Sequence, residues 1–294
     1  MARKVLVTGS CGQLGSSLSS SLKKLEFDVF GVDCIPRNGD AYFQCDLVND
    51  DLTFLRNLDV DIVIHLAGDK LDPSPTEKAI VDSLKTNVQG TIRLLGSIGK
   101  VANHIIFASS ISVYGDSEIP YREDQPLLPR TFYGASKASA EAYLASYRTS
   151  SAICILRIAQ VFGPGTPGHI APVKMVKAAE SGKVILTCTE RTVRDYVHVE
   201  DVVRAIISAI QRKVDGIFNI GSNNPTSLVA LAEYITRITG AAMEVAPCVA
   251  PEHEIWMSVD KARMSLGYEP SWKIEKWVGS ELLKNKGIAC KPDK

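Results

Sequence analysis

Tyr133 and Lys137 stand four residues apart in Tyr133-Gly134-Ala135-Ser136-Lys137. On a helix that spacing puts a phenol and an ammonium one above the other on the same face. A free tyrosine near pKa 10 is a poor base at neutral pH. A neighbouring cation favours the phenolate, so the pair could remove a proton from a hydroxyl. A Tyr-x-x-x-Lys helix alone is common enough to be surface decoration, and its meaning depends on what accompanies it.

The first companion is a glycine loop, Gly9-Ser10-Cys11-Gly12-Gln13-Leu14-Gly15, between the apolar run Val5–Thr8 and a helix-patterned stretch. Glycines there let the backbone turn tightly and approach a pyrophosphate, while the helix N-terminus offers N–H donors and a positive dipole end. The second is Asp33, closing the next apolar run. A carboxylate there can accept from both hydroxyls of an adenosine ribose and repels a 2′-phosphate, which favours NAD over NADP. Arg37 works against that preference, and a plain strand-end turn is the competing reading of Asp33.

With these pieces in place the chain resembles, over nearly its whole length, the extended short-chain dehydrogenase/reductase superfamily in its NAD-dependent epimerase/dehydratase branch. Phe107-Ala108-Ser109-Ser110-Ile111-Ser112-Val113-Tyr114-Gly115 is similar to the family's Ser-Ser-x-x-Val-Tyr-Gly segment, whose second serine matches Ser110. The resemblance implies a catalytic set of Ser110, Tyr133 and Lys137. Ser110 would hold the reacting sugar oxygen, and Lys137 would also touch the nicotinamide ribose. It implies NAD contacts from Gly9, Gly12, Gln13, Leu14, Gly15, Asp33 and Asn38, and from Asp46 and Leu47 beside the adenine. It adds Leu66, Ala67, Gly68 and Lys70 after the fourth strand, and Asn87 on a helix beside the cofactor. Lys70, Ser110, Ser112, Tyr133, Gln160 and Arg194 would meet the substrate, with Arg194 on its diphosphate, where a planar guanidinium suits paired phosphate oxygens. An ion pair of Arg194 with Asp195 or Asp201 is the plainer alternative, as a turn is for Asp46 and an exposed helix position for Asn87.

Departures from the family pattern narrow the function. Gln160 replaces the usual asparagine, Cys188-Thr189-Glu190 replaces a glycine-rich turn, and Ala250-Pro251-Glu252-His253 replaces a stretch that often carries a second diphosphate arginine. Glu252 and Glu254 bring carboxylates there. Ile111 and Ser112 occupy the places of the acid/base pair that dehydratases use, and related decarboxylases keep a glutamate where Ser112 stands. The resemblance therefore points to an epimerase of a nucleotide-activated sugar that oxidises a hydroxyl transiently. A dehydrogenase or ketoreductase making net redox product is the alternative. A non-catalytic nucleotide sensor is disfavoured, because such proteins lose the tyrosine or lysine.

The elements expected to position these residues alternate. Val5–Thr8, Val29–Asp33, Tyr42–Cys45, Ile62–Ala67, Ile105–Ser109 and Ile153–Ile158 read as strands, with helical spacing over Gly12–Leu25, Ala79–Val101 and Tyr133–Tyr147. Short apolar strands alternating with helices predict an α/β fold with a doubly wound parallel sheet, a Rossmann fold, and ligands at the strands' carboxyl ends. After Gly163 a proline- and glycine-punctuated connector leads to helices over Ala171–Ser181, Asp201–Arg212 and Ser227–Thr239. The expected division is a cofactor domain over 1–163, with parts of 196–222 returning to it. A smaller mixed α/β substrate domain covers 164–286, and 287–294 form a loose tail.

Lysine plus arginine and aspartate plus glutamate both number 33 among 294 residues, so nothing draws the chain to nucleic acid or an anionic membrane. No apolar run reaches the roughly 20 residues of a bilayer span. The chain opens on strand pattern, so no signal peptide is expected. Seven scattered cysteines form no Cys-x-x-Cys pair, and the five histidines have no ligand spacing, so no metal is expected. A cytoplasmic homodimer binding a small molecule is the expectation, the dimer resting on family analogy through the helices bearing Tyr133 and Asn87.

Overall fold

The computed structural model describes residues 2–71, 75–98, 102–147, 151–189, 191–247 and 254–285. Its centre is a seven-stranded parallel sheet. β1 (Lys4–Thr8) lies between β2 (Asp28–Asp33) and β4 (Ile62–His65). Beyond β2 comes β3 (Tyr42–Gln44). Beyond β4 come β5 (His104–Ser110), β6 (Ala152–Ile158) and β11 (Gly216–Ile220), in the order β11-β6-β5-β4-β1-β2-β3. The inner strands are buried along most of their length rather than at alternate residues, because both faces are covered. Val5, Val7, Ile62 and Ile64 pack to one side and Leu6 and Val63 to the other, as period-two strands require.

α1 (Gln13–Lys24) and α6 (Val199–Arg212) fill the first side with Leu18, Leu22, Val202 and Ile206. The opposite side takes Leu94, Leu95 and Ile98 of α3 (Gly90–Ile98) and Ala140 and Leu144 of α4 (Phe132–Ser146). The single helix expected over Ala79–Val101 is instead α2 (Glu77–Leu84) joined to α3 through a π turn, Lys85–Gln89; Val101 lies outside the described residues. That wider turn carries Asn87, and π turns inside helices are frequent at functional sites.

The strand order reverses where β1 and β4 are neighbours, which opens a crevice at their carboxyl ends. Over that end lie short elements that two- to four-residue patterns in the sequence do not announce. β7 (Gln160–Phe162) pairs with β10 (Tyr196–His198). β9 (Val193–Arg194) sits between β12 (Thr226–Ser227) and β14 (Glu254–Ile255). β8 (Lys183–Leu186) pairs with β13 (Ala242–Val245). Phe162, Tyr196 and Trp277 join side chains of α5 (Ala171–Glu180), α7 (Leu228–Thr239) and α9 (Ile274–Asn285) in a third apolar cluster. α8 (Asp260–Leu266) packs Ala262 and Leu266 back against the sheet's core. Among the described residues no helix is long and apolar enough to cross a membrane.

Candidate functional site

The glycine loop is built without room for side chains. Gly9 has φ +66°, and a Cβ there would lie 2.7 Å from the Ala67 nitrogen. A Cβ on Gly15 would lie 2.1 Å from the Gly9 carbonyl oxygen. The loop can therefore hug the β4 end only as glycine. In front of it lies a cavity of about 450 Å³ whose lining includes Gly9, Gly12, Asp33, Asp46, Leu47, Leu66, Ala67 and Gly68. The Asp33 carboxylate accepts from the Cys11 backbone N–H at 2.9 Å and that of Ile35 at 3.1 Å, which aims it across the loop. Size, bare backbone and a fixed carboxylate fit the adenosine and pyrophosphate of a dinucleotide.

Other members of the expected set have different duties. Asp46 lines the cavity, but its carboxylate makes a turn, accepting from Val48 N–H at 2.8 Å and Asn49 Nδ2 at 2.7 Å. Gln13 reaches away, donating to Pro164 O at 3.0 Å and Thr166 Oγ1 at 3.1 Å, and so ties the loop to the connector. Leu14 packs into the core, leaving only its backbone for the cofactor. Asn38 is not brought to the Asp33 cavity. It lines a separate space of about 320 Å³ with Arg37, Lys23 and Tyr42, beside which the Tyr42 hydroxyl donates to the Asp33 carbonyl at 3.1 Å.

α4 begins at Thr131, whose hydroxyl caps the Gly134 N–H at 3.0 Å. Lys137 is buried, donating Nζ to the Ala108 carbonyl at 2.9 Å over the Phe107 ring. Burial pulls its pKa down to about 8, partly offset by the Glu141 carboxylate. Ser110 is buried at the end of β5, accepts from Ser112 N–H at 3.2 Å, and hydrogen-bonds the Tyr133 phenol. Burial pushes that phenol up to about 12; the Ser110 bond lowers it and the Asp69 charge raises it. The expectation joined the ammonium to the positive nicotinamide ring; without that ring, desolvation dominates and the phenol's pKa stays high.

Asn87 is buried, not exposed. It accepts from Asp69 N–H at 2.8 Å and donates to Asp69 O and Ser136 Oγ, both at 2.9 Å. It therefore pins the loop after β4 onto α4. A Cβ on Gly68 would lie 2.9 Å from Asn87 Oδ1 and 3.1 Å from Lys137 Nζ, so the loop passes close to both side chains.

Tyr133, Ser112, Gln160 and Lys70 line a second cavity of about 460 Å³ with Arg130 and His169. Its described lining contains no aspartate or glutamate. Burial lowers the Lys70 pKa. Ser112, Arg130 and Thr131 are shared with a third cavity of about 610 Å³, lined further by Glu118, Tyr121, Arg191 and Glu254. Arg194 lines neither; from β9 it donates Nη1 to its neighbour's carbonyl, Val193 O, at 2.9 Å, and burial lowers its pKa. Asp195 instead accepts from Ser222 N–H at 2.7 Å and its hydroxyl at 2.6 Å, while Asp201 pairs with Arg204. Glu252, His253 and Glu190 lie outside the described residues.

His198 stacks on Trp272 and caps α6, and His65 bonds Thr8 and Thr91, so both are packed histidines. Among the described residues no cluster could hold a metal ion. Sequence reasoning missed His169, Arg130 and Arg191 as cavity walls. It also missed Glu141, whose place four residues after Lys137 was a usable signal.

Residues 5–221 match the model of the NAD dependent epimerase/dehydratase family. UDP-glucose 4-epimerase of Corynebacterium glutamicum is 27% identical, over 91% of each chain. UDP-glucuronic acid decarboxylase 1 of Xenopus tropicalis is 26% identical, over 95% of this chain and 71% of its own. The solved structure of MoeE5 with UDP-glucose and NAD superposes with a TM-score of 0.83 at 25% identity, covering 97% of this chain and 99% of that one. The glycine loop, its acidic partner and the tyrosine–lysine helix thus occur in a chain matched over most of its length, which belongs to the NAD-dependent epimerase/dehydratase family, enzymes of the short-chain dehydrogenase type with NAD as cofactor.

Proposed function

We propose that the chain epimerises a nucleotide-activated sugar by withdrawing and returning hydrogen at one sugar carbon. The observation that carries this reading is the cavity holding Tyr133: its described lining has serine, glutamine, lysine, arginine and histidine but no carboxylic acid. Elimination of water needs a group that moves a proton at the neighbouring carbon, and Ile111 and Ser112 supply none. Tyr133 takes the proton of the sugar hydroxyl, Ser110 holds that oxygen in line, and Lys137 supplies positive charge beneath them. Gly9, Gly12, Gly15, Asp33, Leu47 and Ala67 hold NAD, and Asn87 fixes the loop beside it. NAD, when bound, supplies the reversible hydride acceptor. Lys70, Ser112 and Gln160 face the sugar, and the larger adjoining cavity takes the nucleotide.

We also propose the two-part organisation, with residues 1–163 for the cofactor and 164–286 mainly for the substrate. A homodimer through α4 and the α2–α3 segment is supported by the exposed Phe132, Tyr143, Val81 and Leu84. The test of function is to incubate purified protein with a panel of nucleotide sugars, with and without NAD, and identify products. An epimer with no net NADH formed is the expected result. Stoichiometric NADH would favour a dehydrogenase, and loss of water or carbon dioxide would overturn the epimerase reading.

A further inference from the structure

Beneath the Tyr133–Lys137 pair lies a buried polar network to which the proposed reaction gives no role. Glu141 follows Lys137 by four residues and Tyr133 by eight, along one face of α4. It is 4% exposed, and its partner Arg157 on β6 is 3% exposed. Arg157 Nη2 reaches Glu141 Oε2 at 2.8 Å, and Nε lies 3.2 Å from both carboxylate oxygens. Ser109 donates a further hydrogen bond to Glu141 Oε1. Consecutive residues of β5 therefore meet two positions one turn apart on α4: the Ala108 carbonyl holds Lys137 and Ser109 holds Glu141, with Ser110 next along the strand. Arg157 continues outward, donating to the Tyr114 hydroxyl at 2.9 Å, which donates to Asn219 at 2.6 Å.

Apolar side chains would fasten a helix to a strand at least as well, because a buried ion pair gives back in desolvation much of what it gains. A network of this kind, directly under the reacting groups, calls for a further role. We propose that Glu141 is a positioning residue: it fixes α4 against the end of β5 and keeps a negative charge beneath Lys137, so that the ammonium stays charged in a site that has shed water. This rests on the roles given above to Tyr133 and Lys137.

The surroundings of Lys137 leave that duty to Glu141. From β4, His65 is buried and its pKa is pulled down to about 3, so it is neutral. The π turn brings the uncharged Asn87 amide. Asp69, from the loop after β4, acts on Tyr133. Arg157 on β6 is committed to Glu141. Burial lowers the Lys137 pKa to about 8, and Glu141 is what opposes that fall.

The test compares Glu141→Gln, which keeps shape and hydrogen bonds but not charge, with Glu141→Asp, which keeps the charge. In full-length protein, turnover and NAD binding are followed against pH. The rate at which a small acylating reagent modifies Lys137 is read by peptide mass spectrometry without cofactor. In Glu141→Gln the alkaline limb of all three profiles moves to lower pH by about one unit, substrate KM changes little, and Glu141→Asp restores much of the limb. If Glu141→Gln folds poorly, Glu141→Gln with Arg157→Gln removes both charges of the pair, and a smaller shift in the same direction is expected. Unchanged limbs, or equal behaviour of the glutamine and aspartate variants, overturn the inference. The acylation profile does not depend on turnover. A catalytic reading that failed through an active Tyr133→Phe enzyme would therefore be told apart from a failure of the Glu141 role.

Discussion

The Lys137 ammonium donates to the carbonyl of Ala108 at 2.9 Å, two residues before the serine that bonds Tyr133. One helix face and one strand end thus fix the base and its charged neighbour together. Tyr133→Phe removes only the phenolic oxygen, so fold and NAD binding should persist while turnover falls by roughly 10²–10⁴-fold. Lys137→Met should lose turnover and also weaken NAD binding, because it removes both the charge and the bond to β5. Circular dichroism, cofactor titration by fluorescence and product analysis separate the two variants. Near-normal turnover in Tyr133→Phe would refute the assignment.

Asp33 meets the glycine loop through Cys11 N–H and closes the wall of the adenosine cavity, whereas Arg37 lies in a different space. NAD should bind more tightly than NADP by about tenfold or more, a difference on the order of 1.4 kcal/mol. Asp33→Asn should narrow the gap. Parallel titrations of both cofactors check this, and equal affinity in the wild type would count against it.

His65 supplies a pH dependence of opposite origin to the usual carboxylate one. Its ring is buried between Thr8 and Thr91, and burial followed by the Lys137 charge pulls its pKa from 6.5 to about 3. The unfolded chain therefore binds more protons than the folded one between those values. The stability held above pH 6.5 is lost progressively as pH falls toward about 3, by an amount on the order of a few kcal/mol. Thermal unfolding followed from neutral pH downward should show this slope. His65→Asn should be less stable at neutral pH but lose less on acidification, and an unchanged slope would assign the acid sensitivity to other groups.

Much of this was legible because it is written in local pattern. Runs such as Ile62–Ala67 and Ile105–Ser109 mark strands covered on both faces, and the glycines of the loop mark where backbone must approach backbone. The pairing of Tyr133 with Lys137 is read from one helical turn. What the sequence hid depends on contacts between distant segments. The π turn at Lys85–Gln89 has no residue signature, and the lining of a different cavity by Asn38 depends on how the chain runs from Asp33 to Tyr42. The Ser109–Glu141–Arg157 network joins residues up to 48 positions apart. The short strands β9 and β14 are too brief for any period to show, yet they set where Arg194 and Glu254 lie.

Arg194 offers the sharpest test of the substrate class. It lies on β9 with Ile255 as its register partner, and Glu254, the preceding residue of that partner strand, lines the large outer cavity. Burial lowers the guanidinium's pKa, and its planar fork suits paired phosphate oxygens. A diphosphate carries about two negative charges, and a charge-assisted hydrogen bond contributes on the order of 1.5–3 kcal/mol. Arg194→Ala should therefore weaken binding of the best nucleotide sugar by about one to two decades while leaving NAD affinity and the pH profile intact. Glu254→Gln should have a small effect on the same substrate, or strengthen it, because it removes a negative charge from the cavity wall. Isothermal titration with each variant reads both. If Arg194→Ala binds normally while Glu254→Gln abolishes binding, the ligand presents a cation rather than a diphosphate to this cavity, and the nucleotide-sugar reading fails with it.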